Sequence, residues 1–456
     1  MFDRSFELNR NYFHRDSTDS VTVAGSGDGT YSDSKNTGND GNKAHGAYHS
    51  AGSDAKPFQG NISCNEKSSG RSRESRKSRF REIIGIILLY LFSRFVLYSI
   101  AFLGNLHYSS DVNVIDGDMS IASIINDTKE IICEFDCKWF IDVAKNGYDP
   151  APTGLSNANA ANWAFLPGYP MLAKVVSLIT GFDTLTSLLL VSNLFFLLAL
   201  FLWNSYIKLL KINSGLRRLS LIVLCFLPYS IYYLAPYTES MFLAFTLAAF
   251  IAMKKKHFLL AGILGMGMTV TRNVGVMFVF PLLLAGIMEY GFRNIFRLTY
   301  DNAKLALGIM LVPLPMFIFQ NYLYHITGDS FAFMHIQLAW GRSMDNPINH
   351  IINGIAFGGY KLYFSLMIIA SLPLIVFLAR CRMYVETLFF IICAVIPLCT
   401  GVNAYPRYIF GLMPCILALT LLMKKYTLIR QLLPVICGMF SIYFVIAWGH
   451  SKFFVV

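Results

Sequence analysis

Long apolar blocks alternate with short polar connectors along most of the chain. The clearest blocks cover residues 83–103, 187–203, 305–323, 362–378 and 432–447. Each approaches the roughly 20 residues that a helix needs to cross a bilayer. The pattern therefore predicts an all-α polytopic membrane protein.

The amino-terminal part of the chain has a different pattern. Residues 1–70 are rich in Ser, Gly, Asn and Asp and contain few large aliphatic side chains. Such a segment cannot bury enough apolar surface to form a core. We therefore expect residues 1–82 to be a disordered tail and residues 83–456 to form one transmembrane domain.

Composition and charge narrow the class of protein. The chain is 55% hydrophobic and only 14% charged, which is not the composition of a soluble protein. Its net charge of +11 is spread over the connectors between apolar blocks instead of being gathered on one face. This distribution argues against nucleic-acid binding.

The basic residues also predict an orientation. Residues 71–81 carry six basic side chains directly before the first span, which places the amino terminus in the cytosol by the positive-inside rule. The next loop, 104–184, is then lumenal. The later basic clusters all fall on the cytosolic side if residues 164–179 form an interfacial helix and not a crossing. This arrangement predicts about eleven spans.

One stretch of the chain allows two arrangements. Residues 258–270 and 274–288 are each short for a spanning helix at 1.5 Å per residue. They either cross the bilayer as broken segments or form a re-entrant pair around residues 271–273. Both arrangements leave the direction of the later spans unchanged.

With this topology, the polar residues that do not mark cytosolic loops collect on the lumenal side. Ionisable residues at or within spans are costly and are therefore functional candidates. A carboxylate can take a proton from an acceptor hydroxyl, arginines can hold a phosphate bidentately, and aromatic rings pack against sugars. This chemistry suits the transfer of a sugar from a lipid phosphate to a hydroxyl. The candidates are Glu134, Asp136, Asp142, Glu239, Arg272, His335, Gln337, Arg342, Asp345 and Arg407.

Cysteine and metal-ligand patterns add little. Cys133 and Cys137 are close enough to bridge in an oxidising lumen, but two free thiols are the expectation. The Asp116-Gly117-Asp118 triplet has the form of a metal-binding pair, yet it is a lone match that we interpret as a turn. We predict no metal and no cofactor, because a Gly-rich phosphate loop is also missing from the sequence.

Five short segments, read in chain order, resemble the motifs of one known family. These segments are residues 135–148, Asn162-Trp163-Ala164-Phe165-Leu166-Pro167-Gly168-Tyr169-Pro170, Pro236-Tyr237-Thr238-Glu239-Ser240, Thr271-Arg272-Asn273-Val274-Gly275 and Gln337-Leu338-Ala339-Trp340-Gly341-Arg342. The segment Tyr405-Pro406-Arg407-Tyr408 lies where the family has a late Arg. Together they resemble the PIG-V family, which comprises GPI mannosyltransferase 2 and its relatives.

The resemblance implies a GT-C type glycosyltransferase of the endoplasmic reticulum membrane. Such an enzyme uses dolichyl phosphate mannose as a lipid-linked donor and needs no cofactor. It adds the second, α1,6-linked mannose to a glycolipid acceptor, the GPI-anchor precursor. A small membrane partner subunit is compatible with the resemblance.

The resemblance also implies roles for individual residues. Asp136 is the candidate base, and Glu239 either orients sugar hydroxyls or shares the acid-base work. An alternative for Glu239 is a first-turn carboxylate that stabilises the start of a helix. The candidates for the donor phosphate and nearby polar contacts are Arg272, Arg342 and Arg407 together with His335 and Gln337.

One departure from the family motif leaves the acceptor open. Where the family has W-D-G-x-H, this chain has Phe135-Asp136-Cys137-Lys138-Trp139, so the Asp is kept while the first Trp and the His are not. Trp at this place is closer to bacterial members of the superfamily, which glycosylate other lipids or polymers from a polyprenyl phosphate sugar. A transporter is a third hypothesis, but the sequence lacks the inverted repeats typical of that class.

Two glycosylation sequons test the predicted orientation. Asn61-Ile62-Ser63 lies in the tail and Asn126-Asp127-Thr128 lies in the first loop. The predicted topology places the first in the cytosol and the second in the lumen, so Asn126 is the candidate for modification.

Overall fold

The structure, a computed structural model, describes residues 67–108, 120–153, 159–452 and 454, with side chains from residue 79 onward except at 106–108. The Asn61 sequon, the Asp116 to Asp118 triplet and most of the predicted tail therefore lie outside the described residues. The described part is built from helices and short connectors and contains no β-strand.

The first half of the described chain contains ten α-helices and three short 3-10 segments. The α-helices are α1 Lys67–Tyr108, α2 Ile121–Ile132, α3 Cys137–Asn146, α4 Gly168–Thr180, α5 Thr184–Leu209, α6 Ser214–Cys225, α7 Ile231–Leu234, α8 Glu239–Lys254, α9 Phe258–Thr271 and α10 Val279–Tyr290. The 3-10 segments are Asn162–Ala164, Pro228–Ser230 and Asn273–Phe278.

The second half of the described chain continues with nine α-helices and one 3-10 segment. The α-helices are α11 Tyr300–Leu311, α12 Leu314–Thr327, α13 Ala332–His335, α14 Pro347–Phe357, α15 Gly359–Arg380, α16 Tyr384–Leu398, α17 Tyr405–Phe410, α18 Met413–Lys425 and α19 Thr427–Gly449. The 3-10 segment is Ile336–Trp340.

Six stretches of the described chain are helical, long and apolar enough to cross a membrane, and a seventh is a pair of helices bent by 64° at residues 225–228. The six stretches are Arg79–Asn105, Thr184–Leu209, Asn273–Tyr290, Tyr300–Thr327, Gly359–Arg380 and Thr427–Gly449. The five apolar blocks recognised in the sequence all lie within them. The prediction of an α-helical polytopic membrane protein is therefore confirmed at this level.

Helix α1 is longer than the predicted span. It begins at Lys67, so residues 67–82, which the sequence assigned to the disordered tail, are helical. Arg, Lys and Glu dominate this stretch, and these residues have good intrinsic helix propensity. The apolar helix that follows supplies the nucleus from which they extend it.

Helix α4 is too short to cross a bilayer. Its 13 residues span about 20 Å, and it starts after Pro167 and ends at Gly181 in a left-handed cap. Its outer residues Leu178 and Ile179 are almost fully exposed apolar side chains. These features agree with the interfacial helix expected for residues 164–179.

Helix α8 lies at the centre of the packing. Most of its side chains are buried on all sides, and it packs against α5 and α9. A helix that is apolar all round is expected in such a position. Its first residue, Glu239, is therefore buried at one end of the helix bundle.

The chain breaks at Arg272, as expected for the short segments on either side. Arg272 has extended backbone angles, and α9 ends immediately before it. The chain then folds back so tightly that a Cβ on Gly275 would lie 2.4 Å from the carbonyl carbon of Met268. Only glycine permits this approach, which directs the Arg272 side chain toward Glu239.

Candidate functional site

A four-residue connection between α2 and α3, residues 133–136, presents Asp136. A disulfide joins Cys133 and Cys137, whose Cα atoms are 5.2 Å apart. The expectation of two free thiols is therefore wrong. Phe135 between them has a φ of +53°, a left-handed conformation that the spacing of the two cysteines does not reveal and that lets the chain turn back on itself.

Tyr237 holds this loop from the opposite side. Its hydroxyl donates to the carbonyl oxygen of Glu134 at 2.8 Å and accepts from the backbone N–H of Asp136 at 2.9 Å. Tyr237 is fully buried in the turn that precedes α8. The position of Asp136 is thus fixed by one covalent and two hydrogen-bonded constraints.

Asp136 directly precedes α3, but its side chain does not cap the helix. Its carboxylate makes no hydrogen bond to the first amides of the helix. Instead, Oδ2 accepts from Nη1 of Arg407 at 2.6 Å. The Asp136 side chain keeps 27% of its surface exposed, so this carboxylate is open to a second group.

Glu239 joins the other two charged segments. Its Oε1 accepts from Nη1 of Arg272 at 2.7 Å and from Nε of Arg407 at 2.5 Å. Its side chain is only 6% exposed. Both bonds are to guanidinium groups, so the alternative of a carboxylate that stabilises the start of α8 does not describe its contacts.

Arg407 connects the two carboxylates. One guanidinium edge contacts Asp136 and the other contacts Glu239, while the rings of Tyr232 and Tyr237 lie 4.7 and 4.6 Å from its central carbon. A planar guanidinium can pair with two carboxylates and stack on aromatic rings at the same time. Lysine lacks this geometry.

Arg342 completes the charged group through Tyr408. Its Nη2 donates to the Tyr408 hydroxyl at 2.8 Å, and the same ring lies 5.0 Å from the Arg272 guanidinium. Arg342 has no carboxylate partner within 4.0 Å among the described residues. The group that we call the charged cluster comprises Asp136, Glu239, Arg272, Arg342, Arg407 and Tyr408.

The charged cluster has an excess of positive charge. Three arginines face two carboxylates, which leaves a formal charge of +1 in a largely buried place. Arg342 is half-buried and has no carboxylate partner among the described residues, so an anion beside it would balance its charge.

Aromatic rings lie beside the charged cluster. Trp139 stacks on Phe165 at 5.8 Å and meets the edge of Trp340 at 5.7 Å. The Trp340 ring therefore packs against two residues of the first loop. Trp139 is buried by these contacts, whereas Phe165 and Trp340 stay partly exposed and offer apolar surface that is suited to a sugar ring.

Other predicted site residues lie apart from the cluster. The ring of His335 hydrogen-bonds Asp329 at 2.6 Å, and its side chain is 69% exposed. Desolvation raises the pKa of Asp329, but the hydrogen bonds from His335 and from the backbone N–H of Phe331, together with the charge of His335, outweigh it, and the net shift of the pKa is downward. Gln337 is half-buried in the 3-10 segment 336–340, and its backbone carbonyl accepts from the N–H of Arg342.

Asp142 has a different set of partners from Asp136. Its carboxylate accepts from the side-chain amides of Asn146 at 2.8 Å and Asn162 at 2.7 Å. Desolvation raises the pKa of the neighbouring Asp149, and the charge of Asp142 raises it further. Both carboxylates therefore belong to the hydrogen-bonded scaffold of the first loop.

The structure joins four of the sequence-predicted residues in one network, and it adds three tyrosines that were not predicted. Asp136, Glu239, Arg272 and Arg407 form one ion-pair network, although they come from four distant segments. The tyrosines are Tyr232, Tyr237 and Tyr408. Only the position of Tyr237 and Tyr408 beside candidate charges could have identified them.

The glycosylation candidate Asn126 lies on the surface of the protein. The described residues also contain no cluster of side chains that could bind a metal ion. The Asn126 side chain is exposed on α2. Within the described ranges, no three His, Cys, Asp or Glu side chains gather closely enough to hold a metal ion.

Comparison of the chain with known protein families and with curated proteins finds no match.

Proposed function

We propose that the charged cluster is the active site of a glycosyltransferase that takes its sugar from a lipid phosphate. The observation that carries this proposal is the ion-pair network in which Arg407 links Asp136 and Glu239. Its excess positive charge suits a phosphate, and its position at the end of apolar helices suits a donor whose tail stays in the membrane.

The proposed step is a displacement at the sugar carbon that bears the phosphate. The acceptor hydroxyl forms a bond to that carbon, and the bond from the carbon to the phosphate oxygen breaks. The Asp136 carboxylate takes the hydroxyl proton, while the lipid phosphate leaves with the bonding electrons. Arg342 and Arg272 stabilise the charge that develops on the phosphate.

Asp136 suits the base role better than Glu239 does. Glu239 is almost wholly buried and its Oε1 is bound by two guanidinium groups. Asp136 is partly exposed and binds Arg407 through one oxygen only. In this proposal Glu239 holds Arg272 and Arg407 in place. The acceptor hydroxyl approaches Asp136, which takes its proton.

We further propose that the enzyme is a GT-C type member of the PIG-V family in the endoplasmic reticulum. Its donor would be dolichyl phosphate mannose, and its acceptor a GPI-anchor precursor that receives the second, α1,6-linked mannose. The ordered motifs support this proposal, and five of the residues carried over from them belong to the charged cluster. The Cys133–Cys137 disulfide supports an oxidising, lumenal location.

The same proposal includes about eleven spans and a cytosolic amino terminus. Six long spans and the bent pair of α6 and α7 account for seven of them. Four helices that are too short to qualify alone would complete the count, namely α8, α9, α16 and α18. Residues 104–184 would then be lumenal, on the same side as the charged cluster.

One observation favours a second candidate function. Trp139 stands where the family has a His, and it packs against Phe165 and Trp340 beside the cluster. This bulky ring is buried, so it acts on the surface that an acceptor meets by positioning the partly exposed rings of Phe165 and Trp340. A bacterial-type enzyme that glycosylates another lipid or polymer would use the same charged cluster.

Complementation separates the two candidates. We expect the chain to restore GPI-anchored surface proteins in cells that lack the second GPI mannosyltransferase and to remove the accumulated single-mannose precursor. A variant carrying Asp136→Asn should be expressed without restoring either. Failure of the unaltered chain, when it is expressed and inserted, would reject the GPI acceptor in favour of the second candidate.

A further inference from the structure

A second polar site lies at the opposite end of α8 from Glu239. The two ends of this helix, Glu239 and Lys254, are about 22 Å apart at 1.5 Å per residue. At the Lys254 end, a cavity of about 260 Å³ opens between the ends of α8 and α10 and the starts of α9 and α16. The proposed transfer reaction does not use this cavity.

The polar lining of the cavity is balanced in charge. Lys254 pairs with Glu386 at 2.7 Å, and Lys256 pairs with Glu289. Two cations and two carboxylates therefore face the cavity, which carries no net charge for a purely anionic ligand to neutralise. A ligand with one positive and one negative group matches this lining better.

Glu386 is the most unusual of these groups. Its side chain is 1% exposed, and its Oε1 accepts from Lys254 and from the Tyr206 hydroxyl at 2.7 Å. Its Oε2 is buried and has no hydrogen-bond partner among the described residues. A buried carboxylate oxygen without a donor is costly, so this position calls for a donor group supplied by a ligand.

An apolar groove adjoins the cavity. It has a volume of about 430 Å³, and it is lined by Phe280, Leu283, Leu284, Ile287, Leu388 and Ile392. These residues belong to α10 and α16, which also line the cavity through Ala285, Glu289 and Glu386. The groove is thus the apolar continuation of the polar cavity along the same two helices.

We propose that the cavity and the groove together bind one phospholipid with an ethanolamine headgroup. Its primary ammonium donates to Oε2 of Glu386, its phosphate lies near Lys256, and an acyl chain lies in the groove between α10 and α16. A choline headgroup has no N–H to donate to Glu386. A glycerol headgroup with a phosphate adds negative charge without supplying a cation to Glu289 and Glu386.

Native mass spectrometry of the full chain tests this proposal directly. The purified protein is mixed with equal amounts of dioleoyl phosphatidylethanolamine, phosphatidylcholine and phosphatidylglycerol, and the retained lipid adducts are counted. We expect the ethanolamine lipid to be retained about tenfold more than the other two, which is the factor that one charge-assisted hydrogen bond supplies. Glu386→Gln should make retention of the three lipids about equal.

Two matched pairs of variants keep the test informative if Glu386→Gln does not fold. Lys256→Gln should reduce ethanolamine-lipid adducts several-fold, whereas Lys255→Gln, which lies outside the cavity lining, should not. Ile287→Trp fills the groove and should reduce adducts of all three lipids. Leu372→Trp, at an exposed apolar position on α15, is its control.

Three results would overturn the proposal. One is equal retention of the three lipids by the unaltered protein. Another is a preference for phosphatidylglycerol, which would assign the site to anionic lipids. The third is an unchanged ethanolamine preference in Glu386→Gln together with unchanged retention of the ethanolamine lipid in Lys256→Gln.

Discussion

Asp136 and Asp142 lie in the same short part of the chain, but their surroundings differ. Arg407 holds one oxygen of Asp136 at 2.6 Å, while two asparagine amides hold Asp142. Sequence reasoning ranked Asp136 first only through the family resemblance. Their contacts now give a physical reason for that order.

This difference leads to the first prediction. Asp136→Asn should lower sugar transfer by at least about 100-fold, because an amide cannot accept the proton of the acceptor hydroxyl. Asp142→Asn should retain most of the activity, since its amide oxygen can still accept one of the two hydrogen bonds from Asn146 and Asn162 and the residue has no part in the proton transfer. Transfer rates in microsomes, normalised to protein level, measure both. Near-normal activity in Asp136→Asn would remove this residue from the base role.

The arginines provide a second prediction. Arg342→Ala should weaken apparent donor affinity with little change in thermal stability, because Arg342 has no carboxylate partner within 4.0 Å in the described chain. Arg407→Ala should lower both activity and stability, since it leaves Asp136 without a cation and Glu239 with Arg272 alone, at a cost of about 3–5 kcal/mol. Donor titrations and thermal unfolding in detergent separate the effects. Equal loss of stability in both variants would contradict this division of roles.

At the residue scale, the sequence predicted charges better than aromatic contacts. Asp136, Glu239, Arg272 and Arg407 are conspicuous because ionisable residues at or within membrane spans are costly and are therefore functional candidates. Tyr237 and Tyr408 are two of many tyrosines in an aromatic-rich chain. Only their place in three dimensions distinguishes them, because each hydrogen-bonds a group of the charged cluster or its loop.

At the scale of elements, the loop between α2 and α3 is held by the Cys133–Cys137 disulfide and by the ion pair of Asp136 with Arg407. We predict that mass spectrometry of unreduced peptides will find Cys133 joined to Cys137. Replacing both by Ser should destabilise the loop by about 2 kcal/mol, the loop-closure value for five residues. The rate of sugar transfer should fall in this variant although Asp136 itself is unchanged, because the loop no longer holds its carboxylate in place. Cys381→Ser, at an exposed free cysteine, serves as the control. Free thiols at both positions in lumenal protein would contradict the pairing.

Helices α9 and α11 approach each other through two glycines. A Cβ on Gly262 would lie 2.2 Å from the carbonyl oxygen of Gly308, so Gly262→Ala should lower the thermal midpoint by separating the helices at a cost of about 1–3 kcal/mol. Gly438→Ala meets nothing within 4 Å on α19 and should be neutral or slightly stabilising. Equal midpoints for both variants would show that this contact does not limit helix packing.

The elements were predictable to different degrees. Length and apolarity directly encode the long spans, so the blocks such as 187–203 and 432–447 were recognised. The break at Arg272 followed from the shortness of its flanking segments. The helical start of α1 at Lys67 and the bend between α6 and α7 were not predicted, because the hydrophobic pattern encodes neither the helix propensity of the charged residues 67–82 nor the local geometry of a bend.

At the scale of the whole molecule, the proposed orientation has its own test. Asn126 is exposed on α2, beside the loop that carries Asp136. Expressed in a eukaryotic cell, the protein should be glycosylated at Asn126 and not at Asn61. A glycosidase-sensitive mass shift that disappears in Asn126→Gln measures this. A shift lost instead in Asn61→Gln would place the charged cluster on the cytosolic face and exclude a lumenal donor.

The central claim is that the charged cluster transfers a sugar from a lipid phosphate. The most direct measurement uses the purified full chain in liposomes with radiolabelled dolichyl phosphate mannose and a single-mannose GPI precursor. The account predicts label in a two-mannose product that forms with the unaltered protein and is lost in Asp136→Asn. Equal labelling by the unaltered protein and Asp136→Asn would contradict the account, as would the absence of transfer from this donor to any lipid acceptor.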